Sequence, residues 1–146
     1  MIGIIVTGHG NFAGGITTAL ELVLGKQERY IDVDFPIGDT AVELEQNMTE
    51  AVDKLENCRN IVVFADLLSG SPFNTAIMKA MQDERIKVIY GVNLGMLIEA
   101  VMNRNTGVDF NELVNRAIET GRSQIGVFDA DTVKDNDDDK FETNYI

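Results

Sequence analysis

Short apolar runs and helix-spaced apolar stripes take turns along this chain of 146 residues. Residues 2–6 (Ile-Gly-Ile-Ile-Val) are β-branched and apolar, and read as a first buried strand. From 13 to 24 the apolar positions Ile16, Leu20, Val23 and Leu24 recur at helical spacing, with Gly25 placed as a stop. Residues 30–35 alternate as a second strand. Asp39 is expected to cap the next helix, whose stripe is Val42, Leu44, Met48, Val52 and Leu55. Residues 60–66 (Asn-Ile-Val-Val-Phe-Ala-Asp) have the pattern of a fully buried strand. Ser71-Pro72 reads as the N-cap and first residue of a helix ending near Gln82. A fourth strand is expected over 86–92, then helices over 94–103 and 109–120, the second closed by Gly121. Residues 124–129 are expected to form one more strand.

Strand–helix alternation with continuous apolar strands predicts an α/β fold, a doubly wound parallel sheet of about four strands with right-handed crossovers. In such folds ligands bind beyond the carboxyl ends of the strands. The positions to weigh are therefore those following Val6, Phe35, Ala65 and Val92.

Composition narrows the class. Hydrophobic residues make up 45% of the chain, as in a soluble globular protein. No stretch approaches the roughly 20 apolar residues of a membrane span. The first apolar run ends within a few residues and has no basic region before it, so a signal peptide is not expected and the cytoplasm is. The single cysteine, Cys58, has no disulfide partner. One histidine and one cysteine are too few for a metal cluster, and no cofactor is expected. The six methionines read as core filler. Net charge is −12, with seven acids and two lysines from Asp129 onward. That surface repels nucleic acid and anionic membranes and favours a basic protein partner. The chain divides into a domain over 1–130 and an acidic tail over 131–146, expected to be disordered.

His9, the only histidine, stands between Gly8 and Gly10 after the first strand. Flanking glycines leave room for another molecule, and a following helix N-terminus offers free amides to an anion on the imidazole. Asp66 ends a buried strand, where an unpartnered carboxylate is costly. It is placed either to bond His9, fixing its tautomer, or to cap the turn that follows. Ser69, Gly70 and Ser71 form a small polar loop suited to phosphate oxygens, and Ser71 is equally suited to ordinary capping. Phe12, Leu67, Leu68 and Phe73 are either a docking rim or core.

Thr7-Gly8-His9-Gly10, Asp66 followed by Gly70-Ser71-Pro72-Phe73-Asn74, and Gly91-Val92-Asn93 with Met96-Leu97 resemble the mannose-type IIA domains of the sugar phosphotransferase system, as does Glu119-Thr120-Gly121-Arg122. The similarity runs in order over about residues 1–130. It implies a homodimer that exchanges an antiparallel edge strand, to which 124–129 corresponds. It also implies a phosphoryl carrier. Phospho-HPr donates to His9 on Nε2, and a separate IIB subunit accepts and serves a membrane IIC–IID pair. By this resemblance Asp66 orients Nδ1 and Ser71 lies near the phosphate. Leu67-Leu68-Ser69 departs from relatives that carry polar, tryptophan or glycine residues there. The chemistry fits, because a generic imidazole titrates at about 6.5 and is a nucleophile near neutrality. Phosphoryl transfer needs alignment and charge stabilisation above all.

Other classes fit less well. Gly8-His9-Gly10-Asn11-Phe12-Ala13 satisfies a dinucleotide fingerprint, with Asp32 or Asp34 on the next strand, but the chain is short for such a domain. A histidine phosphatase needs flanking arginines and a second histidine. A regulatory IIA relative, such as one serving a dihydroxyacetone kinase, is indistinguishable from a transport component on these residues.

Overall fold

The computed structural model describes residues 1–135: the first residues of the expected disordered tail, 131–135, lie in a short helix, and the rest of the expected tail lies outside the described residues. Up to there the order is β1 (Ile2–His9), α1 (Phe12–Leu24), β2 (Tyr30–Phe35), α2 (Ala41–Lys54), β3 (Asn60–Ala65), α3 (Ser71–Gln82), β4 (Ile86–Tyr90), α4 (Leu94–Asn105), α5 (Phe110–Ser123) and α6 (Ala130–Asp135). The four strands form one parallel sheet in the order β2-β1-β3-β4.

Both faces of the sheet are covered, which explains why the central strands β1 and β3 run almost unbroken in apolar residues, while the edge strands β2 and β4 carry Asp32, Asp34 and Lys87. Side chains alternate between faces along a strand. Ile4, Val6, Val62 and Phe64 point to one core, closed by Leu20 of α1, Leu97 and Val101 of α4, and Leu113 of α5. Ile5, Ile61 and Val63 point to the other, closed by Leu44 and Met48 of α2 and Ala76 of α3. All these side chains are fully buried. At the amino ends of the strands the buried Arg104 donates to the carbonyls of Ile2 and Arg29 at 3.4 and 3.1 Å. Among the described residues no helix is long and apolar enough to cross a membrane.

Besides shifts of one or two residues at the ends of β3, β4 and α4, five departures from the expected boundaries bear on the packing and the site. The first strand runs three residues beyond Val6, because β2 continues alongside it and supplies partners as far as His9↔Phe35. The cap of α2 is Thr40, not Asp39: its hydroxyl accepts from the Val42 amide, and Glu43 reaches back to the Thr40 amide at 2.7 Å. The cap of α3 is Gly70, not Ser71, because the chain enters that helix at φ 94°, a conformation disfavoured for residues with a side chain. Gly121 does not end its helix, which continues to Ser123; it lies buried in α5, where a Cβ would come within 3.2 Å of the Met96 Cβ on α4. The glycine is there for close helix packing.

The fifth shift concerns residues 124–129, which are not in the sheet of this chain. A strand requires a ladder partner, and here the segment leaves α5 and runs on into α6 with Ile125, Val127 and Phe128 exposed. The free edge of β4 borders a groove of about 410 Å³ lined by Tyr90, Gly91, Met96, Val114, Ile118 and Ile125.

Candidate functional site at the carboxyl end of the central strand

The central strand β1 delivers His9 to the carboxyl edge of the sheet, and its neighbour β3 delivers Asp66 one residue past its own end. Adjacent parallel strands thus bring together two residues 57 positions apart. Oδ2 of Asp66 lies 2.8 Å from Nδ1 of His9 and accepts the His9 backbone N–H at 2.9 Å. The other oxygen, Oδ1, accepts from the Leu67 amide at 2.9 Å. Of the two expected uses of Asp66, both are realised, one by each oxygen. Burial alone raises the Asp66 carboxyl, but the donors from His9 and Leu67 outweigh it and hold the carboxyl below its ordinary range.

The far side of the imidazole meets the start of α3. A Cβ on Gly70 would stand 2.8 Å from both Cε1 and Nε2 of His9. No other residue type fits this approach, because Gly70 also has positive φ. Ser71 follows as the first helical residue, half-buried, and Ser69 is exposed ahead of it. Helix N-termini carry unsatisfied amides and partial positive charge, and here that end faces the nitrogen of His9 opposite Asp66. The imidazole remains 46% exposed, so a second molecule can reach it.

Phe35, which no sequence pattern singled out, completes the surroundings of the ring. Its ring meets that of His9 edge to face, with centroids 6.3 Å apart at 67°. Its backbone exchanges two hydrogen bonds with Gly10, at 2.8 and 3.0 Å, where Gly10 adopts φ 58°. The signal available in sequence was position alone: Phe35 closes the strand beside the one bearing His9.

The four apolar residues around the site divide. Leu67 and Leu68 are more than half exposed and flank Asp66. Phe12 is partly buried against the core and fills the space beside Gly8, and Phe73 packs edge-on against Tyr90 at 5.9 Å. Asp34, one of the two acids weighed for a dinucleotide site, instead accepts the Gly14 amide in the first turn of α1 through Oδ1 at 2.8 Å.

A carboxylate-oriented, solvent-facing imidazole beside a helix N-terminus is equipped to take up and release a phosphoryl group. Comparison with known proteins agrees in kind. Residues 3–118 match the sequence model of the family described as "PTS system fructose IIA component". The chain is 35% identical over 133 residues to the "PTS system mannose-specific EIIAB component" of Escherichia coli (strain K12), covering 91% of this chain and 41% of that relative. It therefore spans less than half the length of that curated relative. Against the "PTS system sorbose-specific EIIA component" of Klebsiella pneumoniae it is 31% identical, covering 73% of this chain and 77% of the relative. The crystal structure of the phosphotransferase system component EIIA from Streptococcus agalactiae superposes with a TM-score of 0.79 at 33% identity, over 87% of this chain and 97% of that one.

Proposed function

This chain belongs to the mannose-type IIA family of phosphotransferase-system components, and from that premise we propose that it is a phosphoryl carrier that works through Nε2 of His9. The observation that carries the reading is the pairing of Nδ1 with Asp66 at 2.8 Å. With its proton on Nδ1, donated to an ionised Asp66, the imidazole keeps a lone pair on Nε2, the nitrogen nearest α3.

The cycle is written as follows. The Nε2 lone pair attacks the phosphorus of phospho-HPr, the N–P bond at His9 forms, and the donor's N–P bond breaks with its electron pair returning to the donor imidazole. The Nδ1 proton stays between His9 and Asp66, which balances the positive charge of the imidazolium at Nδ1. Amides at the start of α3, with the Ser69 and Ser71 hydroxyls and the backbone of Gly10 and Gly70, receive the phosphoryl oxygens. In the second transfer a nucleophile of a IIB partner, which serves the membrane IIC–IID pair, attacks the phosphorus, its bond to phosphorus forms, and the N–P bond at His9 breaks with its electron pair returning to Nε2. Leu67 and Leu68, with Phe12 and Phe73 behind them, form the docking rim. The protein acts in the cytoplasm.

The same reading makes it a homodimer. The segment 124–129 passes to a second copy and adds an antiparallel strand to the free edge of β4, covering the groove there. Support comes from the exposure of Ile125, Val127 and Phe128 beside an open sheet edge, both of which proteins tend to cover. The domain ends near residue 130, and the acidic tail is a separate polar appendage.

The test is incubation with phosphoenolpyruvate, enzyme I and HPr, read by intact mass, with His9→Ala alongside. One acid-labile phosphoryl group on the wild type and none on His9→Ala is expected. Absence of any gain in folded protein, while HPr itself is phosphorylated, overturns the carrier role.

A further inference from the structure

We infer that Phe35 is a positioning residue for the reaction of His9: its ring is the wall against which the imidazole is held with Nε2 aimed outward. The inference rests on the carrier reading above and assigns Phe35 no contact with the phosphoryl group.

Three constraints act on the His9 ring. Asp66 takes Nδ1 through Oδ2. Gly70 closes on the Cε1–Nε2 edge, with room for no side chain. A hydrogen bond and one close contact leave the ring some freedom to pivot about Nδ1, and Nε2, across the ring from that anchor, is among the atoms such a pivot displaces most. The Phe35 ring stands against the imidazole at 67° and opposes that pivot.

Phe35 is itself firmly placed. It ends β2 in register with His9. Both its amide and its carbonyl are bonded to Gly10. Its side chain also packs against the core formed with α2 and α3. Its bonded backbone and its core contact together limit how far the ring can move. Attack on phosphorus requires the nucleophile in line with the leaving nitrogen, and misplacement by about 1 Å costs on the order of 10²-fold in rate. Loss of one of three constraints is expected to cost less, about tenfold.

The experiment uses the full chain with Phe35→Leu, Phe35→Met and Phe35→Tyr. Two quantities are read: the rate of phosphoryl transfer from phospho-HPr as a function of HPr concentration, and the mobility of the His9 ring from relaxation of its Cε1–H signal. For Phe35→Leu the transfer rate at saturating HPr is expected to fall about tenfold with the half-saturating concentration unchanged, and the ring signal to report greater motion. Phe35→Tyr keeps the ring and is expected to restore both. Should Phe35→Leu fail to fold, Phe35→Met, which fills a similar volume without a flat wall, decides the matter on the same two readouts. Folded Leu or Met variants with wild-type transfer rate and wild-type His9 order overturn the inference. If the wild type accepts no phosphoryl group, the carrier reading has failed, and the relaxation data still judge whether Phe35 holds the ring.

Discussion

One oxygen of Asp66 serves His9 twice, accepting its backbone amide at 2.9 Å and facing its Nδ1 at 2.8 Å. The imidazole is thus tied to the same atom that ties its own main chain, and a flip of the ring would give up that contact. Asp66→Asn keeps the size but puts an amide where a carboxylate had accepted two donors. The transfer rate is expected to fall about 10–100-fold, the usual effect of losing a histidine's orienting carboxylate. Rapid-quench measurement with phospho-HPr reads it directly.

The lowered Asp66 pKa predicts a pH dependence of stability. A carboxyl that loses its proton more readily when folded stabilises the fold above its unfolded value, about 3.9, and that contribution disappears as pH falls through the lower folded value. Urea unfolding of wild type and Asp66→Asn at a series of pH values is expected to show the full difference at about pH 6 and above, narrowing below about pH 4.

Gly70→Ala meets two penalties at once. The backbone is held at φ 94°, and the new Cβ would lie 2.8 Å from two atoms of the His9 ring. A destabilisation of about 1–3 kcal/mol is expected from the backbone alone. Transfer should fall further than stability explains, because the ring is pushed aside. Thermal melts and transfer rates on the same sample separate the two effects.

Gly121→Leu tests the packing of α5 on α4. Its side chain would enter the space of Met96, whose Cε lies 2.4 Å from where a Cβ would be built. Overpacking of about 1–3 kcal/mol is expected, and Met96→Ala in the same molecule should recover part of it. A double-mutant cycle by denaturant unfolding gives the coupling.

Ile125→Asp with Val127→Asp probes the proposed exchange. Both side chains are exposed in the single chain, at 78% and 93%, so a monomer should tolerate charge there. The doubly substituted protein is expected to sediment as a folded monomer and the wild type as a dimer. A monomeric wild type would refute the exchange.

Much of this was legible in the chain because the signals are local. The continuous apolar runs of the strands follow from burial on two faces, and the helical stripes follow from the 3.6-residue period. His9 and Asp66 were legible because strand ends are where parallel sheets expose chemistry, and β1 and β3 are neighbours. What escaped depends on a partner elsewhere. The extension of β1 to His9 is set by the length of β2. The roles of Gly70 and Gly121 are set by an imidazole and a methionine distant in sequence. Phe35 reads as ordinary core until its ring is seen against that of His9. Residues 124–129 have no ladder partner among the described residues, and a strand is not formed without one.

The central strand has a mechanical consequence. β1 is gripped at its start by Arg104 on the Ile2 carbonyl and at its end by Asp66 on the His9 amide. Between those points it is laddered on both sides, to β2 and to β3. A pull on His9 along the strand axis therefore loads both ladders in shear, so that many hydrogen bonds resist together and none peels first. The imidazole is thereby mounted on a strand that resists displacement along its own axis.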